Sequence, residues 1–539
     1  MTLTRLRSIV SMILILCPLL FAGSPSQRTI TPALLKDKIA GGWAGKMIGV
    51  TYGAPAEFRA LGTTYEEPIT WTPKNIPESM WQDDIYVQLT FMMTMDRFGM
   101  DAPAKKFQEM FAKAGYMLWH ANVQARKNYY DSIFPPMSGH PDHNSHADDI
   151  DFQIETDYLG FIAPGMPVTA SAMADKIGHI MNYGDGVYGG VFIAALHTQA
   201  FFHSDISVIV ANALKTLPPQ SDYARIVSDM ITLHRQYPKD WRAAWRELEN
   251  KWGADHICEA GSSFNIDAKL NGAYIVMGLL YGNGDPVRTL EISTRCGQDA
   301  DCNPSSALAV LGVMLGFEGL PREMREGVLL AKDSVFINTD YSFTKAVDRT
   351  YAYAAQMIVR AGGTVTDTLI TVPEQLPSPV PFEDSFPSVV LKNKVTIGEE
   401  GPWKLSGKWK SRDRQNREAK EQIPGSIVSS RKGDAVEFRF NGTGVAVQGN
   451  WKKDGGTADI FLDGSFVRTI DTYYFYNGQE HENMVLWQVN GLPAGDHTVR
   501  LVVNGKKRPG SLGSNIYLTQ AAVFGTAPKK SSAFKFSFE

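Results

Sequence analysis

Asp299 and Asp301 stand two residues apart in Cys296-Gly297-Gln298-Asp299-Ala300-Asp301-Cys302-Asn303-Pro304, just ahead of an apolar helical pattern. Asn303 suits an N-cap and Pro304 a first helical position, which leaves the aspartates in the approach to the helix. An extended approach turns alternate side chains the same way, so both carboxylates converge on one point. Oxygen-only donors of this kind suit a hard divalent cation: Mg²⁺, Mn²⁺ or Ca²⁺. A second pair, Asp83-Asp84, opens another amphipathic helix. Either pair alone is explained by the preference of carboxylates for helix N-termini. Facing each other, the two helix starts would form one cation cage.

A denser run, His146-Ala147-Asp148-Asp149-Ile150-Asp151, precedes Glu155 and Asp157. Like charges this close repel unless they are solvated or share a cation. His140, His143 and His146 recur every three residues, a weak transition-metal signal without cysteine partners. Gly45, Gly49 and Gly53 recur every four residues, which predicts close helix packing with Glu57 just past the helix end. Gly45-Lys46 is followed by Met47 where a phosphate loop needs Ser or Thr, so that motif is excluded. Asn182-Tyr183-Gly184-Asp185-Gly186-Val187-Tyr188 offers exposed backbone and two tyrosines to a sugar or phosphate, or else joins two helices.

The elements that must position these groups fall into two classes. From about 28 to 365, apolar residues return every three or four positions, as in Ile85–Met95, Ala170–Ile180, Asp205–Leu214, Asn271–Tyr281 and Ser306–Leu315. This predicts an all-α domain. Five prolines then mark residues 366–390 as an extended linker. Over 391–527 the period drops to two, with Asn441-Gly442 and Asp463-Gly464 at turns, which predicts an all-β jelly-roll sandwich. Trp451, Tyr473, Tyr474, Tyr476 and Trp487 there are either core or a stacking platform for sugars. A basic, serine-bearing tail follows Ala527.

At 539 residues the chain has room for more than one core. Its net charge of -4 lacks the basic footprint of a nucleic-acid binder. Arg5 and Arg7, the apolar run Ile9 to Phe21 and the exit Ala22-Gly23-Ser24 read as a signal peptide over 1–24. The run is too short to span a bilayer comfortably, so the expectation is a secreted or periplasmic protein with no stable membrane span after processing. Removing Cys17 leaves Cys258, Cys296 and Cys302, which excludes a disulfide framework but allows one bridge.

Taken in order, Gly45-x-x-x-Gly49 with Gly53 and Glu57, Asp83-Asp84, Gly186-x-Tyr188-Gly189 and Asp299-x-Asp301-Cys302-Asn303 resemble the ADP-ribosylglycohydrolase family, over roughly Lys36 to Pro321. The resemblance implies an all-α catalytic domain holding two divalent cations, Mg²⁺ or Mn²⁺, on Asp83, Asp84, Asp299 and Asp301. It implies a glutamate near the scissile bond, Glu57. Gln82 and Cys302 stand where well-studied members carry Thr, and Val50 where they usually carry Asp, so individual metal contacts differ here. The sandwich looks like the galactose-binding-like modules appended to glycosidases.

The expected function is metal-dependent hydrolysis of a glycosidic bond, a furanoside in a glycan, with the ions orienting sugar hydroxyls and water. Glu57 or one of Asp148, Asp149 and Asp151 would carry the proton. Tyr183, Gly184, Asp185, Gly186 and Tyr188 would contact substrate. The alternatives are release of ADP-ribose from a protein or small molecule, and a catalytically silent carbohydrate-binding protein. A turnover assay with and without chelator separates them.

Overall fold

The computed structural model describes residues 27–398, 401–412 and 425–527. The signal-peptide reading over 1–24 and the basic tail lie outside the described residues. Among the described residues no helix is long and apolar enough to cross a membrane.

The first part of the chain is helical, as its periodicity predicts. Helices Gly184–Ala200, Ala268–Gly282 and Cys302–Leu315 carry few charges, and nearly every residue in them is buried. Amphipathic helices surround them. Phe343–Arg360, for example, buries Phe343, Ala346, Val347, Thr350, Tyr353, Ala354, Met357 and Ile358, a three-and-four spacing that makes one inward stripe. The helix expected to start beside Asn303 begins at Cys302, with Asp301 as its N-cap. That correction brings the second aspartate of the motif onto the helix end itself.

Helix Pro32–Gly53 lies directly on helix Cys302–Leu315. A methyl group at Gly41, Gly45, Gly49 or Gly53 would run into the backbone at Gly312, Leu308, Pro304 or Ala300 respectively. The glycine repeat therefore lets two backbones touch at four points over about three turns and fixes the relative height of Glu57 and Asp301. Gly53→Ala is expected to cost about 1–3 kcal/mol, because the obstacle is backbone and cannot rotate away. Gly495→Ala, where nothing lies within 4 Å, is the control and should be near neutral. Equal unfolding midpoints for the two variants would refute the close-packing account.

Strand Gln27–Ile30 pairs antiparallel with Ile370–Pro373, which also pairs with Thr364–Val365. The start of the proline-rich stretch is thus held in a small sheet against the chain's first described strand. Beyond it stand two antiparallel sheets. One runs, in spatial order, Ser465–Asp471, Thr457–Leu462, Gly495–Val503, Ala435–Gly442, Trp403–Ser406. The other is built around Ile516–Thr526, flanked by Gly444–Trp451, Ser426–Ser429 and Val389–Thr396. Phe438, Ile460 and Leu501 from the first sheet and Val447, Leu518 and Val523 from the second are buried in the common core. Trp451, Tyr474 and Trp487 are buried as well, so these three are core rather than a sugar-stacking platform. Tyr476 stacks at 4.2 Å on Tyr130 of the helical domain, and Arg508 joins Asp131 of that domain to Asp471.

Candidate metal centre

Helix Pro32–Gly53 runs into the short 3₁₀ turn Ala54–Ala56, and Glu57 is the residue that ends it. The segment after Glu57 is tied to the aspartate turn by two backbone bonds: Phe58 N–H donates to Gln298 O at 3.0 Å, and Gln298 N–H to Ala60 O at 2.9 Å. Gly297 and Gln298 both adopt left-handed backbone, φ 85° and 54°. Asp299 and Asp301 therefore sit in a tight turn, not in the extended approach expected from their spacing. They converge because the turn folds them over the start of the Cys302–Leu315 helix, where Asn303 N–H donates to Asp299 O and Ser305 N–H to Asp301 O, each at 3.2 Å.

Asp83 and Asp84 occupy the first turn of helix Asp83–Phe98. The Asp83 carboxylate accepts from the Asp84 N–H at 3.2 Å, and the Cys302 thiol donates to Asp84 Oδ2 at 3.1 Å. The two acidic helix starts face each other. Donor atoms of Asp84, Asp301 and Cys302 lie within 4.8 Å of one another, as do those of Glu57, Asp299 and Asp301. Asp301 belongs to both groups. Its Oδ1 is buried and has no hydrogen-bond partner among the described residues, the condition of a carboxylate oxygen built for a cation.

The electrostatics follow. Burial, then Asp301, Asp83 and Asp84, push the Glu57 carboxyl up to about 8, although its side chain remains exposed to solvent. Burial and Asp84 raise Asp83 to about 7. Asp299 rises to about 8 through burial and the charges of Glu57 and Asp84, against a lowering hydrogen bond with Asp301. Asp301 is raised well above the ordinary carboxylate range by burial, Asp299 and Asp84. A site that pushes this many carboxyls up is short of positive charge.

Part of the deficit is met by a residue the sequence reading passed over. Lys46 is wholly buried, 3.2 Å from Asp84 Oδ1 and 3.0 Å from Asp157 Oδ2, and donates to Ile154 O at 3.1 Å. Burial opposes its charge, but Asp157 and then Asp84 outweigh burial and hold the ammonium above its usual value. His197 Nε2 lies 2.8 Å from Asp157 Oδ1 and completes the support. Glu155, which the sequence shows only as an outlier of the dense acidic run, is a second such residue. It is buried, bonded to the Asn122 amide, and lies in the fields of Asp151, Asp83 and Asp84. The available signal was a lysine inside the glycine-rich, apolar stretch 39–50 of helix Pro32–Gly53.

The third acidic run is dispersed. Asp148 bonds Ser385 and lies among Asp185, Asp267 and Lys269. Asp149 turns to His146, 2.8 Å away. Asp151 accepts from Asn122 N–H at 2.9 Å and Ala121 N–H at 3.3 Å, at the start of helix His120–Tyr130. The glycine–tyrosine segment meets the end of the proline-rich stretch. The Tyr188 hydroxyl is held between Pro381 O and Glu383, Gly184 N–H faces the Glu383 carboxylate, and a methyl at Gly184 or Gly186 would strike Ser385 or Ala147. Asp185 accepts from Tyr223 N–H at 3.2 Å. Tyr183 packs against the rings of His140 and His179. Glu57, Asp83, Asp84, Asp299 and Asp301 come together; these other residues make their contacts elsewhere.

The ADP-ribosylglycohydrolase family model matches residues 31–356. A curated relative, the A type blood alpha-D-galactosamine galactosaminidase of Flavonifractor plautii, is 39% identical over 79 residues, 15% of this chain and 7% of that protein. The chain thus spans a small fraction of that relative's length. Among solved structures, an "ADP-ribosylglycohydrolase-related protein complex" aligns with 60% of this chain and 98% of its own, at 14% identity and TM-score 0.39. The "Carbohydrate-Binding Module CBM36 in complex with calcium and xylotriose" aligns with 25% of this chain and 99% of its own, at 13% identity and TM-score 0.17.

Proposed function

Because the chain belongs to the ADP-ribosylglycohydrolase family, we propose that it hydrolyses a glycosidic bond at the five-carboxylate centre, with a glycan furanoside as substrate and export directed by residues 1–24. The observation that carries the reading is the convergence of Glu57, Asp84, Asp299 and Asp301, from three separate segments, with Asp83 near enough for its charge to raise Glu57 and Asp301, and with Asp301 Oδ1 left unpartnered among the described residues. The partial relative named for a galactosaminidase supports a sugar substrate over a purely nucleotide one.

Asp83, Asp84, Asp299 and Asp301 would hold two divalent cations, Mg²⁺ or Mn²⁺. Such ions supply positive charge against which vicinal sugar hydroxyls orient. Lys46 pins Asp84 in place, and the Gln298 backbone holds Phe58 and Ala60, the segment just after Glu57. Glu57 is the one carboxylate of the five with an exposed side chain, so its Oε atoms can reach a bound sugar. Its carboxyl, which burial and the charges of Asp301, Asp83 and Asp84 raise in the metal-free protein, is the group placed to exchange a proton with the sugar oxygen or the attacking water. Asp148, Asp149 and Asp151, with their partners elsewhere, position the neighbouring loops.

The test is hydrolysis of a panel of glycans, aryl furanosides and nucleoside-diphosphate sugars with Mg²⁺, Mn²⁺ or EDTA. Release of a sugar from the glycan or furanoside arm, lost in EDTA, is expected. Turnover confined to the nucleoside-diphosphate-sugar arm would replace this reading with the other activity of the family. No turnover while the metal still binds would favour a silent binding protein.

Cation binding carries its own pH signature. Asp83, Glu57 and Asp299, with values of about 7 to 8, hold protons below pH 7 that a cation must displace. A carboxyl whose folded value is raised binds its proton more tightly folded than unfolded. The metal-free protein therefore loses stability from these groups as pH rises from the ordinary carboxylate range through 8. Mg²⁺ affinity should climb about tenfold per pH unit for each proton displaced. The gap between melting temperatures in Mg²⁺ and in EDTA is expected to widen from pH 6 to pH 8.5. A gap that stays constant contradicts the assignment.

A further inference from the structure

Apart from the acidic centre, donor atoms of His120, His146, Asp149 and Cys258 lie within 4.8 Å of one another. The geometry points to a second metal site of different chemistry, for a borderline-soft divalent ion such as Zn²⁺ bound by two imidazoles, one carboxylate and one thiolate. His146 Nδ1 is 2.8 Å from Asp149 Oδ2 and 3.0 Å from Cys258 Sγ, and His120 Nδ1 is 3.8 Å from the same Asp149 oxygen. Bond lengths of 2.0–2.3 Å in a tetrahedral zinc site set ligand atoms about 3.3–3.8 Å apart, so the four need only small movements to close on an ion. Thiolate and carboxylate together balance the ion's charge.

A cysteine–histidine–aspartate triad fits less well. That arrangement places thiol and carboxylate on opposite ring nitrogens, whereas both here face Nδ1 of His146. Thiol, carboxylate and imidazole nitrogen thus meet on one side of the ring, where a cation would be liganded by all three. The ligands come from three segments: the start of helix His120–Tyr130, the 144–150 loop and the loop before helix Ala268–Gly282.

The loop supplying Cys258 also supports the acidic centre. Asn265 N–H donates to Gln298 Oε1 and Gln298 Nε2 to Ser263 O, each at 3.0 Å. Phe264 packs on the rings of both His120 and Phe58, next to Glu57. The site borders a cavity of about 540 Å³ that is also lined by Gln448, His481 and Gln520 of the sandwich. An ion there would fasten the loop that positions the Asp299–Asp301 turn.

The test uses the full chain, stripped of metal and titrated with Zn²⁺ against a chromophoric chelator, and separately with Co²⁺. About one tightly held Zn²⁺ per chain is expected, together with the thiolate charge-transfer band and intense visible bands of tetrahedral Co²⁺. Cys258→Ser should abolish the charge-transfer band, and His146→Ala should weaken Zn²⁺ binding at least tenfold. Cys302→Ser should retain the band, which separates this site from the acidic centre and makes the result independent of hydrolytic activity. A wild-type chain that gives no thiolate–cobalt band, or a band that survives Cys258→Ser and disappears in Cys302→Ser, overturns the proposal.

Discussion

Asp299→Asn is expected to lower metal-dependent hydrolysis about a thousandfold, equivalent to about 4 kcal/mol of barrier, while leaving the metal-free protein as stable as wild type. Both halves follow from one fact. Burial and neighbouring charge lift the Asp299 carboxyl to about 8, so without a cation it is protonated at pH 7 and an amide replaces one neutral group by another. With a cation the ionised form is needed, and the amide cannot supply it. The stability gained on adding Mg²⁺, about 2.7 kcal/mol at a hundredfold excess over Kd, should therefore largely vanish in the variant. Melting curves with and without Mg²⁺, beside single-substrate rates, decide the matter. A variant that keeps its Mg²⁺ stabilisation but loses activity would move Asp299 from cation ligand to direct contact with the sugar. One that keeps both would remove it from the centre.

Lys46→Met should have the largest effect on stability, about 3–5 kcal/mol. Lys46, Asp84 and Asp157 are all fully buried, and removing the ammonium leaves two carboxylates facing each other across its place. The loss comes less from the ion pairs themselves than from stranding their partners in a medium that cannot solvate them. Lys36, half exposed and paired with Asp348, provides the contrast; Lys36→Met should cost less than about 1 kcal/mol. Added Mg²⁺ should recover part of the Lys46→Met loss by placing positive charge near Asp84, and chelation should deepen it. Similar denaturation midpoints for the two methionine variants would show that Lys46 is not the structural counter-charge.

Much of this was written locally. The helices announce themselves by period, the sandwich by alternation and turn pairs, and the acidic pairs by their place at helix starts. The glycine repeat of Pro32–Gly53 could be read as close packing because only a residue without a Cβ permits backbone contact every four positions. These are properties of neighbours within a turn or two, where spacing alone fixes which side chains share a face.

The tertiary structure decided which local signals meet. Asp148, Asp149 and Asp151 form the densest acidic run, yet a single turn sends them to Ser385, to His146 and to the start of a helix. The sparser pairs at 83–84 and 299–301 converge, because two helices locked together by glycine and a third packed beside them bring their ends to one place. His120 and Cys258 carry no pattern in the sequence at all. They are distant from each other and from His146 along the chain, and only the packing of three loops makes them neighbours. Side-chain chemistry and local spacing are fixed by the sequence, but the distance between remote residues is set by how whole elements bury their faces, which no short window of residues contains.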